Sequence, residues 1–212
     1  MLMEDFTFLV SGDDPSEDEK LADALLYKKK YSGGNYIAFW NFQESLTDKV
    51  GGVVAAASGA TRDGDGLHFT ANNHRVKIPK GLFKKGYTYE IAFGTCSSSI
   101  PFGNNGYFLS YPQYATWSPA QGFGWTTKSK FGMWSDASGW RYIDGLTDPN
   151  YWSGKILKIK IEDDGKWSIY EGKTLLYTSP VAMGYSDVEF YLGSYGDGRA
   201  YYNMVIKSLK IY

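Results

Sequence analysis

Leu157-Lys158-Ile159-Lys160-Ile161-Glu162-Asp163-Asp164-Gly165-Lys166-Trp167-Ser168-Ile169-Tyr170 is the stretch that decides the fold class. Leu157, Ile159 and Ile161 alternate with Lys158 and Lys160, the period of a half-buried antiparallel strand. Asp164-Gly165 lies between the run that ends at Glu162 and the run that starts at Trp167, a spacing that predicts a tight hairpin. The same alternation recurs upstream. Tyr89, Ile91 and Phe93 share one face, with Thr88, Glu90 and Ala92 on the other, and Val76 and Ile78 alternate with Arg75 and Lys77. Gly172 and Asn105-Gly106 mark further turns. Short strands with frequent turns predict a sandwich or barrel. The last run, Met204 to Tyr212, is expected to pair with the first strand, Tyr36 to Phe42.

Composition agrees with that class. The chain of 212 residues holds 18 Tyr, 12 Phe, 7 Trp and 25 Gly, with 43% hydrophobic residues. Aromatics suit pleated, half-buried surfaces, and Gly supplies tight turns. The hydrophobic fraction supports a real core and excludes global disorder. A formal net charge of -1 gives no pull toward nucleic acid. No run reaches transmembrane length, so no membrane insertion is expected. Met1 to Val10 carries Glu4 and Asp5 where a secretory leader needs positive charge. The expectation is synthesis and retention in soluble form, unless another route of exit exists. Cys96, the single cysteine, excludes an intramolecular disulfide and reads as a buried, inert thiol.

Residues 1–34 differ from the rest. Phe6 to Val10 reads as a short strand. Asp14 as N-cap, Pro15 as first helical residue, Glu17 to Glu19 in the first turn and Lys28 to Lys30 in the last predict a helix of about four turns. Ser32-Gly33-Gly34 ends it. The expected organisation is an arm plus helix over 1–34, serving docking or oligomerisation, and a β-domain over 35–212.

Within 35–212 an ordered series of weak motifs resembles laminin-G-like members of the concanavalin A-like lectin/glucanase superfamily. Trp40-Asn41-Phe42, Leu46-Thr47-Asp48 and Gly51-Gly52 resemble the opening of that domain. Asp65 to Phe69, Arg75 to Pro79 and Tyr87 to Phe93 resemble its next strands. Leu157 to Tyr170, Leu192-Gly193 and Val205 to Tyr212 resemble its close. The resemblance implies an all-β jelly roll of two antiparallel sheets packed as a sandwich.

Some members of that superfamily are glycoside hydrolases with carboxylates spaced along one strand, so that one acid protonates the leaving oxygen while a second attacks. No such strand is found. Glu90 stands alone, Glu162 to Asp164 are consecutive at a turn, and Asp187 and Glu189 lack a third partner. His68 lies in a predicted strand and His74 in an Asn-rich turn, neither with a partner at a metal spacing. No nucleophile elbow or phosphate-cradling loop is present. No cofactor is required by the sequence, and no enzyme activity is expected. The resemblance does leave room for a calcium ion held by loop oxygens, with Asp48, Asp63, Asp65, Asn104, Asn105, Asp144, Asp148, Asp197 and Asn203 available, although turn chemistry explains such residues equally.

Five of the seven Trp fall between Trp117 and Trp152. A pyranose presents an apolar C–H face to an aromatic ring while its hydroxyls pair with amides, carboxylates and Arg. At Trp134, Trp140 and Tyr142, which read as strand residues, core packing and ligand contact stand equally open. Trp117 and Trp152 read as loop residues, where core packing explains an aromatic less well. The candidate glycan contacts are therefore Trp117 and Trp152, then Tyr114 and Trp125, with Gln121, Asp136, Arg141 and Asn150 as polar partners.

The expected function is a non-catalytic carbohydrate- or receptor-binding module. Absence of a leader beside a lectin-like domain points to an adhesion or decoration component of a phage or phage-tail-like particle, made in the cytoplasm and carried on the virion. Residues 1–34 would contact a virion protein or form a homo-oligomer. A purely structural virion protein is the alternative, and a glycoside hydrolase ranks below both.

Overall fold

The computed structural model describes residues 36–71, 73–97, 106–111, 121–126, 130–135, 139–182, 189–193 and 202–212. The arm and helix expected over 1–34 lie outside the described residues. In chain order the strands are β1 Ala38–Asn41, β2 Ala56–Ser58, β3 Thr61–Asp63, β4 Gly66–Phe69 and β5 Arg75–Ile78. There follow β6 Thr88–Cys96, β7 Gly106–Tyr111, β8 Gln121–Trp125, β9 Phe131–Ser135 and β10 Gly139–Tyr142. The last are β11 Ile156–Ile161, β12 Trp167–Glu171, β13 Thr174–Thr178, β14 Phe190–Leu192 and β15 Met204–Ile211.

Among the described residues the strands form two antiparallel sheets. The first runs β13-β12-β11-β6-β15-β4-β3, with β1 also paired to β15. The second runs β10-β9-β8-β7-β14-β5-β2. The fold is thus an all-β, two-sheet jelly-roll sandwich. The terminal strand pairs with the first strand as expected, in the register Ala38↔Ile211 to Asn41↔Ser208. The Asp164-Gly165 hairpin also forms. Glu162 N donates to Lys166 O at 2.8 Å, and Gly165 makes the turn with φ of 82°. Asp164 caps the loop, accepting from Lys166 N at 2.9 Å.

The alternation read from the sequence sorts side chains between core and outer face. Leu157, Ile159 and Ile161 are buried, as are Tyr89, Ile91 and Phe93, and Val76 and Ile78. Each aliphatic side chain so placed contributes roughly 1.5–3 kcal/mol relative to exposure. Aromatic rings join the sheets: Phe123 of β8 meets Trp167 of β12 at 4.3 Å between centroids, and Phe93 of β6 meets Phe108 of β7 edge-on at 5.6 Å.

On the outer face of the first sheet, one cross-strand row is charged. Lys158, Glu90 and Lys210 lie side by side on β11, β6 and β15. Glu90 bonds Lys158 and Lys210 at 3.0 Å each. It also accepts from Tyr212 Oη at 3.1 Å.

Asp48, one of the calcium candidates, is occupied by backbone. Its carboxylate accepts from Phe39 N at 2.5 Å, Val50 N at 3.1 Å and Gly51 N at 2.6 Å. This buried side chain ties β1 to the turn that follows it, the satisfied arrangement that a buried carboxylate requires.

Candidate functional site

The outer face of the second sheet carries aromatic rings over a floor without side chains. On β8, Phe123 and Trp125 point into the core, so Gly122 and Gly124 face outward. On β9, Phe131 and Met133 point inward, so Gly132 and Trp134 face outward. Two rows result. Ser110, Gly122, Trp134 and Trp140 lie across β7 to β10, and Tyr107, Gly124, Gly132 and Tyr142 lie beside them.

A β-bulge in β7, where the register shifts between Tyr107 and Leu109, lets Phe108 and Leu109 both enter the core and turns Tyr107 outward. The Tyr107 ring then lies across β8. It meets Trp140 in a stacked contact, with 5.6 Å between centroids and 25° between planes. Trp140 in turn lies nearly parallel to Tyr142, at 6.1 Å and 6°. Trp134 completes the group, 6.1 Å from Trp140. The glycines are required by this arrangement. A Cβ on Gly124 would stand 2.0 Å from Gly106 O, and one on Gly132 would stand 2.3 Å from Arg141 O. Strand backbones approach there too closely for any side chain.

Exposure grades across the group. Tyr107 is 3% exposed and forms its inner wall, Trp134 and Trp140 are half-buried, and Tyr142 is 41% exposed. Lys130 sits 5.2 Å from the Tyr142 ring centre, a cation–π distance. The platform therefore offers apolar ring faces with an ammonium at its edge.

The sequence expectations for contacts are corrected here in part. Trp125 and Trp152 are not surface aromatics. Both are fully buried. Trp125 packs edge-on against Phe131, at 5.1 Å, and Trp152 packs against Phe131 at 5.4 Å and Tyr151 at 5.0 Å. The loop-like context of Trp152 misled because a core residue on a connecting segment has no periodic neighbours to betray it, whereas Trp125 ends β8 on its core-facing side. Arg141 is exposed on β10, but it pairs in register with Met133, so it leaves the strand on the face opposite Trp140 and Tyr142. Asn150 is exposed in the turn before Trp152, its N–H bonded to Asp148 Oδ1 at 2.9 Å, and it is not part of the platform. Gln121 opens β8, opposite Tyr111 and Ser135. Its side chain, with Tyr114, Trp117 and Asp136, lies outside the described residues. The residues missed as leading candidates are Tyr107, Trp134, Trp140 and Tyr142. The signal that could have found them is the alternation Gly122-Phe123-Gly124-Trp125 beside Gly132-Met133-Trp134.

Several carboxylates are taken up by neighbours. Glu171 pairs with Lys155 at 2.8 Å and accepts from the Tyr151 hydroxyl. Glu162 pairs with Lys160 at 2.5 Å, and Asp164 with Lys166 at 2.8 Å. Among the described residues no group of three or more His, Cys, Asp or Glu is arranged to hold a metal ion.

No protein-family model matches the sequence, and no curated protein matches it. Solved structures do match. The chain is similar to Trypanosoma rangeli sialidase, with a TM-score of 0.69 and 13% identity over 92% of this chain and 36% of that one. It is similar to domain 4 of AbnA, a GH43 extracellular arabinanase from Geobacillus stearothermophilus solved with arabinotriose, with a TM-score of 0.58 and 14% identity over 84% and 91%. It is also similar to the botulinum neurotoxin type G receptor binding domain, with a TM-score of 0.53 and 12% identity over 84% and 48%. The chain has a lectin-like β-sandwich fold. At these identities the likeness concerns fold alone, and the chain spans about a third of the sialidase but most of the arabinanase domain.

Proposed function

We propose that the chain is a non-catalytic glycan-binding module whose sugar-contacting surface is the platform of Trp134, Trp140 and Tyr142, backed by Tyr107. The observation that carries this reading is the stack Tyr107–Trp140–Tyr142 laid over the glycine floor. Natural cores hide such rings, whereas here glycines clear room for them on an outer face. A sugar ring lies on the exposed aromatic face, and Lys130 at the edge donates to hydroxyl or carboxylate oxygens. Sequestration of Glu90, Glu162, Asp164 and Glu171 by lysines supports a binding role rather than hydrolysis. The likeness to an arabinanase domain solved with arabinotriose adds a precedent for sugar binding on this fold.

A glycan array that includes arabino-oligosaccharides, followed by calorimetry on the best hit, tests the proposal. Trp140→Ala and Tyr142→Ala are expected to weaken the hit at least tenfold while the circular dichroism spectrum keeps its β signature. Binding to no glycan, or undiminished binding by both variants, overturns it. The setting we propose, an adhesion component of a phage or phage-tail-like particle docked through residues 1–34, rests on the sequence expectations. Its test is mass spectrometry of purified particles.

A further inference from the structure

On the other sheet, a recess of about 390 Å³ is lined by Asp65, His68, Gly94, Thr95, Lys207 and the Ser153-Gly154 turn, with Val205 at its side. We propose that this recess is a second ligand site, separate from the aromatic platform, for one small polyhydroxylated unit such as a monosaccharide.

The recess is built by two opposed irregularities. Between the pairs Met204↔Cys96 and Ile206↔Phe93, β6 carries one residue more than β15. Between Ile206↔Phe93 and Ser208↔Ala92, β15 carries one residue more than β6. The extra residues fall within Gly94-Thr95 on one strand and at Lys207 on the other, and these residues line the recess. Bulges re-aim side chains and recur beside functional sites. Gly94 deepens the hollow, because a Cβ there would stand 3.0 Å from Val205 Cβ and Cγ1.

The lining mixes donors and acceptors. Lys207 is half-buried, its stem passing over Gly94 with Cε 3.5 Å from where a Cβ would be, and it has no ion pair among the described residues. An ammonium in that position offers three donors. The Asp65 carboxylate supplies acceptors. His68 is held by Asp63 at 2.8 Å, which fixes its ring at the recess wall. Ser153 Oγ is anchored to Cys96 N at 2.9 Å and Cys96 O at 3.2 Å, so the turn that carries it is fixed to β6. Hydroxyl groups both donate and accept, and a unit bearing several satisfies this mixture better than a bare anion, which Asp65 would repel, or an apolar group, for which Val205 alone is too little. No Phe, Tyr or Trp ring lines the recess. Recognition here is by hydrogen bonds, in contrast to the stacking platform.

The test is titration of the ¹⁵N-labelled 212-residue chain carrying Trp140→Ala, which weakens the platform at least tenfold, with L-arabinose, D-galactose and D-glucose in turn. At least one sugar is expected to give saturable shifts of the Gly94, Thr95 and Gly154 amides. Lys207→Met on that background is expected to weaken the effect at least fivefold, and Thr95→Val to weaken it less, with the remaining spectrum unchanged. Absence of saturable shifts at those amides with all three sugars overturns the proposal, as does equal binding by the Lys207→Met and Thr95→Val variants. Failure of the platform leaves these shifts in place, so the two sites stand or fall separately.

Discussion

A Cβ placed on Gly122 would stand 2.5 Å from Cδ1 of Tyr107. The tyrosine ring occupies the space that any other residue at position 122 needs. The missing side chain leaves room for the ring where it meets Trp140. Gly122→Val is therefore expected to push Tyr107 off the strand and break the stack. The overpacking costs about 1–3 kcal/mol, a few degrees in Tm. Loss of near-ultraviolet aromatic dichroism, together with weaker glycan binding in a still folded chain, is the predicted result. An unchanged aromatic spectrum would show that the ring does not depend on this glycine.

Trp152→Ala separates packing from binding. Trp152 is fully buried among Phe93, Phe131 and Tyr151. Removing a large buried ring costs about 3–5 kcal/mol. Urea unfolding is expected to show that loss. Trp140→Ala, half-buried on the outer face, is expected to cost far less and to act on ligand affinity. Equal stability losses for the two variants would contradict the assignment of one to core and the other to surface.

The two tryptophans also show what the sequence could and could not reveal. Strands with strict alternation, such as Leu157 to Ile161, declare their buried face because each neighbour points the other way. Trp152 lies on a turn, where no period exists and only three-dimensional packing decides. Trp134 and Trp140 lay in recognisable strands, but which of two faces is outward depends on register. The glycines at 122, 124 and 132 carried that information, since a strand that alternates Gly with Phe, Trp or Met has a bare face. The double bulge around Ile206 left no trace in composition. It arises from pairing between strands far apart in the chain.

Cys96 gives a chemical probe of the same core. Burial pushes its thiol up to about 11, against weaker opposing hydrogen bonds from Tyr202 and Ser153. At pH 8 the folded protein is expected to leave the thiol protonated and unreactive toward iodoacetamide, while the urea-unfolded chain is alkylated quickly. Because the thiol's affinity for its proton is raised on folding, stability is fully present below about pH 8.5 and declines as pH rises toward 11. Rapid native-state alkylation at pH 8 would contradict the buried placement.

Glu90 should govern the acid limb of stability. Burial acts to raise its affinity for a proton, but hydrogen bonds and charge from Lys210 and Lys158 outweigh that and hold the carboxyl below its ordinary 4.5. A carboxylate depressed on folding contributes stability above its unfolded value. That contribution is lost as pH falls through the folded value. The row Lys158–Glu90–Lys210 joins β11, β6 and β15, the centre of the first sheet. Protonation thus loosens the strands that carry the terminal pairing. Glu90→Gln leaves two lysines without their anion and is expected to cost about 1–3 kcal/mol at pH 7. As pH falls from the ordinary value of 4.5 through the lower folded value, the wild type loses the same interaction, so the two stability curves should converge toward the acid end. Urea midpoints measured from pH 7 down to pH 3 check this. Parallel curves over that whole range would show that the row is ornamental and that another carboxylate sets the acid limb.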